Sequence, residues 1–257
     1  MAGVLQDGVT PLIIACDGGR RDEAAAPDEV AALIAGGTDV NQVDDDGSSP
    51  LMAACTATRT EITSMLLAAG ASVIHVSPGS GLKPLYWPCV DGSLAHVQLL
   101  SSYGANRQAS PQQTAEEVAT FYNRQEVLAW LVASRQWSTP LHHLGIIDAD
   151  RARALLRDGA DLHAKAAPGG PTPLSLAQDM REAGTVAEGS AAQLVLAAAE
   201  PWSEANHTLF PRAARELAVE LQRLGYLLSR QERFNGQETA LYDLWMEEVV
   251  PHVVVRG

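Results

Sequence analysis

The chain has 257 residues and 27.3 kDa, with 46% hydrophobic and 19% charged side chains. That composition excludes a disordered or collagen-like polymer and suits one extended domain with a tail. The net charge is −13 with no basic cluster, which excludes a non-specific phosphate-backbone binder, so nucleic acid is not an expected partner.

Three cysteines without paired short spacing fit a reducing compartment better than a disulfide scaffold. No basic-then-apolar leader opens the sequence, and no apolar run is long enough to cross a bilayer. The expected location is therefore intracellular, cytoplasm or nucleus, with no membrane insertion.

In chain order, Thr10-Pro11-Leu12 opens a short helix that presents Leu12, Ile13 and Ala15. Gly18 to Ala26 is polar and alanine-rich and is expected to be a loop insertion. A second helix carries Val30, Leu33 and Ile34 and is closed by Gly37. The opening phrase then returns as Ser49-Pro50-Leu51, Lys83-Pro84-Leu85, Thr139-Pro140-Leu141 and Thr172-Pro173-Leu174, its prolines separated by 39, 34, 56 and 33 residues. A weaker copy at Thr114-Ala115 divides the longest step into 31 and 25. A hydroxyl residue before Pro caps a helix whose first N–H needs no partner. The closing phrases at Gly70-Ala71, Gly104-Ala105 and Gly159-Ala160 supply a left-handed helix end. No such helix pair buries its apolar face alone, so neighbours must stack into one core.

The string Asp39-Val40-Asn41, Asp46-Gly47, Ser49-Pro50-Leu51 and Ala54 closely resembles the ankyrin-repeat signature, as does Thr139-Pro140-Leu141-His142. The resemblance covers about residues 8–200. It implies an all-α solenoid of about six repeats with short turn fingers. Departures are Pro88 in the third unit, Glu116 in place of Leu and no Gly-Ala turn after Leu131 in the fourth, and extra residues around Gly184–Gly189 in the sixth. The resemblance also implies a protein partner and no cofactor, and it permits β-hydroxylation of Asn41.

After Pro201 the periodic phrases stop, which places the expected domain boundary between 8–200 and 201–257. Trp202, Leu209 and Phe210 read as anchors. Pro211 is expected to start a long helix whose Leu217, Leu221, Leu224 and Leu228 form one inward stripe. Asn235-Gly236 reads as a turn. Leu241, Leu244, Trp245 and Val249 form a second short helix that ends near Pro251. The tail reads first as a cap on the solenoid and second as a docking module, an arrangement similar to the C-terminal segment of ankyrin-containing ubiquitin-ligase subunits, although no clear F-box or SOCS-box pattern is present.

Chemistry is sparse. Cys16, Cys55 and Cys89 each lie five residues after a repeat proline, so they hold one structural position in successive units and are too far apart to share a metal or a disulfide. His142 occupies the position of a structural hydrogen-bonding histidine in the repeat phrase. No phosphate loop, zinc-protease helix or calcium loop occurs. What remains is a surface. The expected partner contacts are Gln42, Asp44, Asp45, Ser48, His75, Arg107, Gln112, His163 and Lys165. Residues 1–136 hold 15 acidic and 7 basic side chains, so the partner is expected to be basic where it meets the first fingers. Three functions follow: an adaptor or scaffold without catalysis, a ubiquitin-ligase substrate receptor, or an enzyme with an unrecognised site. The sequence leaves partner identity and oligomeric state open.

Overall fold

The computed structural model describes residues 8–17, 27–231 and 237–255. The expected loop insertion at 18–26 and the Asn235-Gly236 turn lie outside the described residues. The described residues form helices and turns, with an isolated antiparallel bridge between Gln108 and Thr114. The chain divides into two compact units, Met1–Gln136 and Trp137–Gly257.

The first unit is a two-layer helical solenoid. Its inner layer is α1 (Pro11–Asp17), α3 (Pro50–Thr56), α5 (Tyr86–Asp91) and α7 (Ala115–Phe121). Its outer layer is α2 (Pro27–Ala35), α4 (Thr60–Ala68), α6 (Leu94–Ser102) and α8 (Gln125–Ala133). Within each layer every helix packs on the next, and the two layers enclose a single core. Equivalent positions recur along it as Leu12, Leu51 and Leu85, then Cys16, Cys55 and Cys89.

The repeat phrase does what its chemistry requires. The hydroxyls of Thr10 and Ser49 accept from the N–H of Ile13 (3.2 Å) and Met52 (3.3 Å). Thr114 forms a reciprocal cap with Glu117, bonded at 3.2 Å in one direction and 2.8 Å in the other. Lys83 has no hydroxyl to offer, and the third inner helix begins only at Tyr86, two residues after Pro84. Pro88 sits in its first turn, where a missing N–H leaves no helix bond unmade. Outer helix α4 closes through Gly70 at φ +92°, a left-handed conformation that a Cβ disfavours.

The fourth repeat lacks that glycine and closes differently. The Arg107 guanidinium reaches from the preceding finger and donates to the carbonyls of Leu131 (2.7 Å) and Ser134 (2.8 Å) at the end of α8. It also meets Glu116 at 3.3 Å. Both departures of this repeat, an acid in place of Leu and no closing Gly, therefore belong to one ion-paired cap.

The second unit holds the remaining repeat phrases together with the tail. Pro140–His142 makes only one 3₁₀ turn where a full inner helix is expected, and the chain turns again at His143 before Asp148 caps α9 (Ala149–Arg157). Helices α10 (Pro173–Glu182) and α11 (Ala191–Ala199) pack on each other, and α11 packs on α9. The expected boundary at 200/201 falls inside this unit. Asn206 donates to the carbonyls of Ala197 (3.1 Å) and Pro201 (2.9 Å), and Arg157 donates to Thr208 (3.1 Å).

The tail consists of α12 (Arg212–Ser229), α13 (Glu238–Leu244), a π-helical turn (Trp245–Val249) and α14 (Val250–Val253). Trp202 and Phe210 are buried with Ala214, Ala218, Val250 and Val254. The leucine stripe of α12 corrects the expectation. Leu217 and Leu224 are exposed, Leu221 and Leu228 are half-buried, and the inward face is Ala214, Ala218, Gly225 and Ser229. Small residues face inward because the Trp245 ring lies directly on Gly225 and its Nε1 donates to the Leu221 carbonyl at 2.8 Å.

Candidate functional site: the fingers and inner helices

The fingers are built as linked turns. Asp39 accepts from the N–H of Asn41 at 2.9 Å, and the same turn recurs as Asn106 to Gln108 (2.7 Å) and Asp161 to His163 (2.8 Å). Asn106 is therefore the counterpart of Asp39 and not of Asn41. Asn41 donates to the Gly70 carbonyl at 3.2 Å and accepts from Ser72 N–H at 2.8 Å, tying the first finger to the second.

This framework sorts the expected contact residues. Asp44 accepts from Ser48 N–H at 2.7 Å and donates its own N–H to the Ser48 carbonyl, so both residues close the first finger. His75 Nε2 bonds the Gly47 carbonyl at 2.8 Å, a link back to that finger. Arg107 is committed to the α8 cap described above. Gln42, Asp45 and Gln112 stand exposed at the finger surfaces of the first unit, and His163 and Lys165 are exposed in the second.

Sequence reasoning missed the apolar part of this surface. Val43, Ile74 and Val76 are exposed on the first two fingers. Tyr86 and Trp87 meet edge to face at 5.4 Å, as do Phe121 and Tyr122 at 5.1 Å. Burial and the neighbouring Tyr122 hydroxyl both raise the Tyr86 pKa. The signal was present as two adjacent aromatic pairs in an aromatic-poor chain. Only the packing of α5 on α7 brings them together.

The titratable core groups are inert. Burial pushes the thiols of Cys16, Cys55 and Cys89 up to about 12, and all three are free. His142 is buried and neutral: its Nδ1 accepts from Thr139 N–H at 3.2 Å, so Nε2 carries the proton and donates to the Pro171 carbonyl at 3.2 Å. Among the described residues, no group of three His, Cys, Asp or Glu is placed to hold a metal. No described helix is long and apolar enough to cross a membrane. A shallow cleft of about 430 Å³ in the second unit runs past His163, Glu200, Trp202 and His252.

A family model described as ankyrin repeats (3 copies) matches residues 2–76 and 23–111. Residues 2–111 carry ankyrin repeats. These repeats make the first unit a protein-interaction module, built on the linked fingers and paired helices described above. A tyrosine-protein kinase of Hydra vulgaris, HTK16, is 31% identical over 100 residues, which are 38% of this chain and 12% of the kinase. The chain therefore matches a small part of that relative's length.

Proposed function

We propose that the chain is an adaptor or scaffold that binds a protein partner along the fingers of its first unit and carries no chemistry of its own. The observation that supports this most is the division of labour in the fingers. Asn41, Asp44, Ser48 and His75 hold the turns in place, and Gln42, Asp45 and Gln112 are left exposed on that fixed framework. The excess of acid over base in residues 1–136 makes the preferred partner surface basic, since opposite potentials steer association. The ankyrin-repeat and kinase similarities lend no support to a ubiquitin-ligase partner.

Asp45→Lys is the clean test. Asp44 also holds its own turn, and reversing it would confound folding with charge. Affinity capture with the full chain is expected to recover partners with basic segments. Asp45→Lys is expected to slow their association at low salt while leaving the circular dichroism spectrum unchanged. Identical capture and kinetics for the two proteins would overturn the basic-partner reading. Asn41 is in addition the proposed hydroxylation position. Native protein whose intact mass lacks the extra oxygen would remove that assignment.

A further inference from the structure

The first unit exposes an aromatic surface that the finger contacts do not use. The sequence holds only three Phe, five Trp and five Tyr, yet Tyr86, Trp87, Phe121 and Tyr122 collect on two neighbouring inner helices. Phe121 is 75% exposed, the most exposed of the large hydrophobic side chains described. A ring that only filled space would be buried. This one is presented to solvent at the end of α7.

Edge-to-face pairs engage the edge of one ring and one face of the other, so π-faces stay open on the outside of the cluster. Among the described residues no guanidinium or ammonium lies over any of the four rings. In the second unit, by contrast, Arg230 covers Tyr226 at 5.1 Å. The charged side chains borne by α5 and α7 are Asp91, Glu116 and Glu117, all acidic. Two nearby arginines are already held: Arg107 in the α8 cap, and Arg124 by the bond from its Nε to the Val90 carbonyl at 2.7 Å.

We propose that this quartet is a platform for an arginine side chain of the partner protein. The open ring faces attract a cation through their quadrupole, and the excess of acidic over basic side chains in residues 1–136 adds a long-range field of the same preference. Arginine suits the platform better than lysine. Its guanidinium is planar, stacks flat on a ring and sheds its hydration more readily than an ammonium. The proposal rests on the reading that the first unit takes a basic partner, and it names the part of that partner which anchors.

The test uses the full chain and three matched synthetic peptides, a Gly-Arg repeat, a Gly-Lys repeat and a Gly-citrulline repeat, titrated calorimetrically. The arginine peptide is expected to bind most tightly and the citrulline peptide least. Phe121→Leu keeps the apolar bulk, removes the π-face and is expected to weaken the arginine peptide by about tenfold, with Trp87→Leu acting in the same direction. Phe121 is exposed, so its variant folds even if the Trp87 variant does not. Equal affinity for the arginine and citrulline peptides, no arginine-peptide binding at all, or an unchanged affinity in Phe121→Leu each overturns the platform. If Asp45→Lys alone weakens binding, the basic-partner reading stands and the platform falls. If Phe121→Leu alone weakens it, the platform stands and the finger surface falls.

Discussion

Arg107 shows how a single side chain replaces a missing backbone device. Where other outer helices end on a left-handed glycine, α8 ends on carbonyls that only this guanidinium satisfies. Arg107→Ala should cost about 1–3 kcal/mol, because it leaves the carbonyls of buried Leu131 and Ser134 without this donor and the Glu116 carboxylate with Arg135 alone, at 3.5 Å. A lower denaturation midpoint in urea with an unchanged slope would measure it. His142 makes a pH prediction. Burial lowers its pKa below the ordinary 6.5, outweighing the backbone hydrogen bonds that raise it. The unfolded chain then binds more protons than the native one on the acid side. His142 thus adds stability that is full above pH 6.5 and is lost as the pH falls below it. His96, also lowered by burial, contributes in the same sense. His142→Gln should flatten, without abolishing, the fall in melting temperature between neutral and mildly acid buffer.

At the scale of elements, helix identity was legible and helix orientation was not always so. The Thr-Pro and Ser-Pro phrases marked starts correctly because capping is local chemistry, decided by one hydroxyl and one N–H. The shortened helix at Pro140 was invisible because its loss lies in the turn that His143 makes after an intact phrase. Helix α12 misled for a different reason. Periodicity shows which residues share a face, and burial depends on what arrives opposite, here Trp245 on Gly225. Gly225→Ala should therefore destabilise by about 1–3 kcal/mol through overpacking, whereas Leu217→Ser and Leu224→Ser should each change stability by less than about 0.5 kcal/mol. Thermal melts of the three variants separate the two stripes. A larger loss from the leucine changes would restore the inward leucine face. The exposed surface was half legible for the same reason. Exposed polar tips such as Gln42 and Asp45 follow from their position in a turn, while the aromatic quartet needs α5 and α7 side by side.

Over the whole molecule, the end of the repeat phrases and the division into compact units do not coincide. The last repeat helices share the second unit with the tail, so a cut at residue 200 would strip Leu209 from the core it shares with Leu156, Val195 and Ala198 and break the Asn206 bond to Ala197. The cysteines respect the structural division. All three lie in the first unit, one in each of its first three inner helices, buried and protonated well above neutral pH. A thiol reagent is thus blind to the folded array and blind throughout to the second unit. Alkylation counted by mass, one adduct at a time, becomes a clock for the opening of successive repeats. It reports whether the array frays from one end or opens all at once, with no label added to the protein.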